Sequence, residues 1–169
     1  MARLSKNLAS VFSIASLLLT VGVSTALAQH TDDTVPLRYV SQRADTAYLR
    51  EGPSFQYRVL WVYRHKGYPF AVIAQYDIWR RVRTPDGTVG WMSSQMLTDQ
   101  RTVLITGRDR AGLYSDPEPN ARLFAYAMPG ATARLEACAL RSCRVSAPGL
   151  KGWIEKDRIW GVGRDEVFK

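Results

Sequence analysis

The sequence predicts an all-β protein built from two tandem small barrels, and three observations carry that expectation. A pattern is written twice: Leu49-Arg50-Glu51-Gly52-Pro53 returns as Leu113-Tyr114-Ser115-Asp116-Pro117, and Gly90-Trp91 returns as Gly152-Trp153. The offset is 64 residues at the leucines and 62 at the tryptophans, so the copies are small units with slightly different loops. Strand-sized β-prone runs alternate with Gly, Pro and Asp turns throughout. The runs also follow one another too closely for the crossover helices that a parallel sheet requires.

The first copy begins with an opening strand over Arg38 to Gln42 and continues with Ala47-Tyr48-Leu49. Gly52-Pro53-Ser54 breaks the chain before Val59 to Tyr63, a run of residues suited to a pleated surface. Lys66-Gly67 turns into Phe70 to Tyr76, and Asp77 turns into Trp79 to Thr84. In Thr84-Pro85-Asp86-Gly87 the proline presets its backbone angle, the aspartate caps and the glycine takes a left-handed position. Thr88 to Met92 returns, and Ser93 to Met96 is expected as one short helical turn before Leu97. The second copy keeps the order. Its opening strand is Thr102 to Thr106, followed by Leu113-Tyr114, Leu123 to Ala127, Ala131 to Cys138, Arg144 to Ser146 and Lys151 to Ile154. Five short strands with tight turns in each copy read as a small, strongly bent barrel. No Gly/Ser-rich or Pro-rich linker separates the copies, so a packed pair is expected.

Residues 1–28 are expected as a cleaved signal peptide. Arg3 and Lys6 start it, Leu8 to Val23 carries no charge, and an Ala-x-Ala pattern ends at Ala28 before Gln29. The apolar stretch is short for a membrane span of about 20 residues. No cysteine lies near Ala28, so a lipoprotein anchor is not expected, nor is an integral membrane segment after cleavage. The resulting division is signal peptide 1–28, disordered segment 29–37, first barrel 38–100, second barrel 101–163 and C-terminal tail 164–169. Cleavage removes Arg3 and Lys6 and no acid, which lowers the net charge from +8 to +6. The address is periplasmic or secreted, which argues against a nucleic-acid partner. The basic charges are interspersed, and Arg80, Arg81 and Arg83 form the one dense cluster.

Cys138 and Cys143 are the two cysteines, and an oxidising compartment makes a disulfide their default. Their spacing fits a hairpin closed by a four-residue loop, and so short a loop gains roughly 2 kcal/mol or less from the bond. A redox-active pair favours a closer Cys-x-x-Cys spacing. His30 and His65 are too few for a metal site or a catalytic triad, so no metal, no cofactor and no catalytic residue are expected. The first copy holds more aromatic residues than a small barrel buries. Phe70 and Trp91 are expected in its core. Tyr57, Tyr63, Tyr76 and Trp79 are candidates for a ligand groove, with Arg81 and Arg83 on one face to meet carboxylates. The alternative use of the aromatics is packing between the barrels.

The ordered set Leu49 to Ser54, Gly67, Trp79 to Val82, Asp86-Gly87 and Gly90-Trp91 resembles the bacterial SH3-like domains of exported proteins. The second copy keeps Leu113, Pro117, Gly130, Cys143-Arg144-Val145 and Gly152-Trp153. Its ending, Ile159-Trp160-Gly161-Val162, is similar to tandem SH3-like proteins of unknown function in alphaproteobacteria. The resemblance covers roughly residues 38–162. It implies binding or targeting modules, often for cell-wall peptides, and no catalysis; wall hydrolases that carry such modules add a separate domain with Cys and His. The expected function is thus a non-catalytic exported binding module for a cell-wall peptide or glycan, or for a periplasmic protein. A structural protein using its aromatic face for permanent association is the alternative, and a cell-wall hydrolase a remote one. The first barrel is expected to contact ligand and the second to brace it.

Overall fold

The structure is a computed structural model that describes residues 35–169. The expected signal peptide, its Ala28-Gln29 cleavage point and residues 29–34 lie outside the described residues. Barrel 1 consists of β1 (Arg38–Gln42), β2 (Ala47–Arg50), β3 (Val59–Tyr63), β4 (Pro69–Tyr76), β5 (Trp79–Arg83), β6 (Val89–Ser93) and β7 (Leu97–Thr98). Barrel 2 repeats it with β8 (Thr102–Ile105), β9 (Ala111–Tyr114), β10 (Leu123–Ala127), β11 (Thr132–Cys138), β12 (Ser142–Ala147), β13 (Leu150–Glu155) and β14 (Ile159–Trp160). The strand orders are β3-β2-β6-β5-β4-β1-β7 and β10-β9-β13-β12-β11-β8-β14, so the two copies share one topology. Every pairing is antiparallel, which short loops permit.

The local signals act as their chemistry dictates. Gly87 takes φ +87°, and the Asp86 carboxylate accepts from the Thr88 amide at 3.0 Å and from the Thr84 hydroxyl. Ser93 caps a single 3-10 turn over Ser94–Met96 by accepting from the Gln95 amide. The Gly-Trp pairs need a correction. Gly90 is buried and has no room for a side chain, since a Cβ there would stand 2.7 Å from Leu49 and 2.8 Å from the Arg50 carbonyl. Trp91, expected in the core, alternates to the outer face and is half-buried, as is Trp153.

The core of barrel 1 gathers Leu49, Phe70, Val72, Val82 and Met92, all at 1% exposure or less. Tyr63, Tyr68 and Phe70 close one end of it, with Phe70 meeting the two tyrosine rings at centroid distances of 5.2 and 5.4 Å. Burial pushes the Tyr63 phenol up to about 12, helped by the charge of Asp86 and by Tyr68, against the pull of a hydrogen bond with Thr84. The core of barrel 2 gathers Val103, Ile105, Leu113, Val145 and Ile154 with the disulfide. Cys138 and Cys143 face each other across the β11–β12 hairpin with a Cα separation of 4.0 Å and are covalently joined.

The barrels pack through β1, the turn before β4, and β8. The Ser41 and Thr102 hydroxyls bond at 2.7 Å, and Ser41 Oγ also accepts from the Thr102 amide at 3.0 Å. Thr102 Oγ1 donates to the Gly67 carbonyl. Tyr39 meets Trp160 edge to face at 5.5 Å, and His65 Nε2 lies 3.3 Å from the Thr132 hydroxyl. The surplus aromatics of barrel 1 are therefore not what joins the barrels. Gly161 sits in this seam at φ +116°, where a Cβ would stand 2.8 Å from the Thr102 carbonyl and 3.4 Å from Pro69.

Both ends of the described chain touch the barrels. Leu37, at the end of segment 29–37, donates its amide to Val72 at 2.8 Å. The C-terminal tail, residues 164–169, is tied to barrel 2. Phe168 pairs with Cys138 through two backbone hydrogen bonds, of 2.8 and 3.0 Å. Arg101 holds the Glu166 carboxylate with both nitrogens, one at 3.1 Å, and its guanidinium faces the Phe168 ring at 5.5 Å.

Candidate functional site

In each barrel a loop arches from the second strand to the third over the outer sheet face. Residues 51–58 form it in barrel 1 and residues 115–122 in barrel 2. The space beneath it is the natural cleft of each unit, and the two copies treat it differently.

In barrel 1 the cleft is filled. Arg50 donates to the carbonyls of Phe55 at 3.0 Å and Tyr57 at 2.7 Å, which ties the loop to the sheet. Phe55 then lies against Trp79 with centroids 4.9 Å apart. Trp79 is 5% exposed as a result, so this expected groove residue is a covered one. Tyr63 belongs to the aromatic cluster at the barrel end and is half-buried. Tyr57 packs on Gly52, where a Cβ would meet its ring at 2.6 Å, and remains 48% exposed. Tyr76 is 64% exposed. Arg81 and Arg83 pair with Trp91 and Val89 across β5–β6, which places both arginines on the outer face as expected. The six candidates thus do not converge on one open groove.

In barrel 2 the cleft is open. Three differences accompany the opening: Tyr114 stands where Arg50 does, Ser142 stands where Trp79 does, and Glu118-Pro119 follow Pro117 where Ser54-Phe55 follow Pro53. The pairings Trp153↔Tyr114 and Trp153↔Arg144 repeat Trp91↔Arg50 and Trp91↔Arg81, which fixes the correspondence. The result is a cleft of about 230 Å³ walled by Tyr114, Pro117, Pro119 and Trp153. Asp116, Glu118 and Glu155 line it with the single cation Arg141. Arg144 lies over the Trp153 ring at 5.9 Å and within 3.3 Å of Glu136, which also takes Lys151 at 2.6 Å. Arg141 and Glu155 also border a groove of about 490 Å³ that runs beside the C-terminal strap.

A family model for the bacterial SH3 domain matches residues 43–99 and again residues 107–161. The chain belongs to the bacterial SH3 domain family. Both copies are thus SH3 domains, and the space beneath the loop is filled in the first and open in the second. Among solved structures, NlpC2 from Trichomonas vaginalis is similar at 14% identity and a TM-score of 0.35, over 75% of this chain and 49% of that one. An NlpC/P60 family protein from Bacillus cereus ATCC 10987 is similar at 18% identity and a TM-score of 0.32, over 72% of this chain and 55% of that one. The chain spans about half the length of these structures. A search of curated proteins found no match. Among the described residues, no helix of this SH3 pair is long and apolar enough to cross a membrane. No group of three or more His, Cys, Asp or Glu residues capable of holding a metal ion occurs among them either.

The sequence did not single out Tyr114, Asp116, Pro117, Pro119 and Trp153 as ligand residues. A signal for them existed in the alignment of the two copies. Where barrel 1 has Trp79 and Phe55 closing its cleft, the second copy has Ser142 and Pro119.

Proposed function

We propose that the protein is a non-catalytic exported binding module whose ligand seat is the open cleft of barrel 2. The observation that carries the reading is the pair of clefts on one topology, one plugged by Phe55 on Trp79 and the other vacant over Tyr114 and Trp153. Two aromatic faces beside two prolines form a flat apolar floor for an extended peptide. Asp116, Glu118 and Glu155 outnumber Arg141 there, which favours a peptide carrying an amine or guanidinium group. A cell-wall peptide or a basic segment of a periplasmic protein has this chemistry. The roles suggested for the two barrels are then reversed, with barrel 2 contacting ligand and barrel 1 bracing it. The test is retention on purified wall sacculi and on a panel of lysine-containing peptides, comparing the native protein with Trp153→Ala and with Glu118→Gln. Loss of retention in Trp153→Ala with an unchanged circular dichroism spectrum supports the site. Equal retention by both proteins removes it.

A second reading rests on the edge of barrel 1. Strand β3 is Val-Leu-Trp-Val-Tyr, pairs on one side only, and leaves Trp61 59% and Val62 44% exposed. Such an edge is a template for another strand. Sedimentation of the isolated protein distinguishes this reading, because self-association through β3 gives a dimer that Val62→Lys dissolves.

A further inference from the structure

The two barrels also differ at the end of the core, away from the clefts. The correspondence there is fixed by the ladders. Val40 pairs with Phe70 as Val103 pairs with Ala133, and Ala47 pairs with Tyr63 as Ala111 pairs with Ala127. The Gln42 amide donates to the Tyr68 carbonyl as the Ile105 amide donates to that of Ala131, both at 2.8 Å. Thr84 and Ala147 close the equivalent turns. Where barrel 1 has Tyr63, Tyr68, Phe70 and Thr84, barrel 2 therefore has four alanines: Ala127, Ala131, Ala133 and Ala147. The backbone is the same and the filling is gone. An apolar pocket of about 230 Å³ remains, opening to the core residues Ile105, Leu113 and Val145. It shares no lining residue with the cleft of barrel 2.

The rim is cationic. The Arg110 guanidinium lies 3.9 Å from the centroid of Tyr126, which lines the pocket, and Arg108 stands two residues before it. The opposite rim is Thr132, which His65 of barrel 1 touches between Arg64 and Lys66 in sequence. Asp109 is the one acid in the 106–110 loop. Glu136 is engaged by Lys151 and Arg144.

We infer that this pocket is a second ligand site, for an aromatic ring that carries a carboxylate, as at a peptide's C-terminal phenylalanine or tyrosine. The ring takes the place that Tyr63, Tyr68 and Phe70 occupy in the sister barrel. The carboxylate meets Arg110. Burial of one ring is the main attraction, and the charge-assisted hydrogen bond sets the orientation.

The test uses N-acetylphenylalanine, its uncharged amide and octanoate as probes, read by methyl NMR shifts of the labelled protein. N-acetylphenylalanine should shift the methyls of Ala127, Ala133 and Leu150 saturably, with a dissociation constant in about the millimolar range for a probe of this size. The amide should bind about tenfold more weakly, and Arg110→Gln should erase that difference. Ala127→Tyr with Ala133→Phe, which copies the filling of barrel 1, should abolish the shifts. Should that variant fail to fold, Arg110→Gln on the rim and the comparison of probes still decide. Absence of saturable shifts at these methyls, undiminished binding in a folded filled variant, or tighter binding of octanoate each overturns the inference. Trp153→Ala should leave this binding intact, so its outcome is separate from that of the cleft.

Discussion

The filled end of barrel 1 gives the sharpest test of how these cores are built. Phe70 is fully buried, with Tyr63 and Tyr68 against it at 5.2 and 5.4 Å. Phe70→Ala removes the ring and leaves a hole, because Tyr63 is held in β3 and the Tyr68 backbone is bonded to Gln42 and His65, so neither can collapse far. Core Phe→Ala substitutions cost about 3–5 kcal/mol. Each lost aromatic pair accounts for about 0.5–1.5 kcal/mol of that figure. Against a typical domain stability of about 5–15 kcal/mol, the variant leaves barrel 1 marginal. Ala133 shows that the barrel 2 backbone tolerates the same deletion, so the effect should stay local. Urea unfolding followed by circular dichroism measures the total loss, and amide hydrogen exchange assigns it to a barrel. Exchange should accelerate in β1, β4 and β5 well before β11 to β13. A loss below about 1 kcal/mol would refute the role of Phe70 as a plug, since that is less than a buried ring contributes. Equal acceleration in both barrels would refute the independence of the two cores.

Further outcomes follow from the same geometry. Gly90→Ala drives a methyl into Leu49 and the Arg50 carbonyl and should destabilise barrel 1 by about 1–3 kcal/mol in the same urea assay. The Asp86 carboxyl lies below the usual carboxylate range because the Thr84 hydroxyl and the Thr88 amide bond to it. Burial pushes Glu166 up, but the Arg101 bond, the Gly163 amide and nearby Lys156 outweigh it and hold the carboxyl low. Both carboxylates have folded pKa values below their unfolded ones. Their stabilisation is present above the ordinary carboxylate range of about 4 and is lost as pH falls through it towards the folded values. Acid titration of the thermal midpoint should show this decline, and Glu166→Gln should flatten part of it. Reducing Cys138–Cys143 should cost roughly 2 kcal/mol or less, with faster exchange confined to barrel 2. Ser41→Ala with Thr102→Val should leave both barrels folded by circular dichroism and loosen the seam, read as faster proteolysis between residues 98 and 102.

The fold was legible because its signals are local. Thr84-Pro85-Asp86-Gly87 specifies a turn whatever surrounds it, and the β-prone run Val59 to Tyr63 is a strand in the structure with the same limits. The disulfide followed from the expected oxidising compartment and from a spacing that fits a hairpin. The cleft was less legible because exposure is a tertiary property. Trp79 looks like a groove wall until Phe55, distant in sequence, covers it. Trp91 looks like core until strand parity turns it outward. The emptiness of barrel 2 was hidden for another reason. An alanine in a strand gives no signal by itself, and only the ladder that sets Ala133 where Phe70 stands shows that something is missing. The strap at Phe168 was unreadable because a single bridge leaves no periodic pattern.

That strap imposes a timetable on the emerging chain. Barrel 1 owns all its strands once Thr98 is available, and it can close while its sister is still being made. Barrel 2 has its last strand at Trp160 but lacks the partner for Cys138 until Phe168 arrives. Residues 166–168 therefore cover the backbone edge beside Cys138 only after every strand of barrel 2 is present, and the Arg101–Glu166 pair holds them there as a latch.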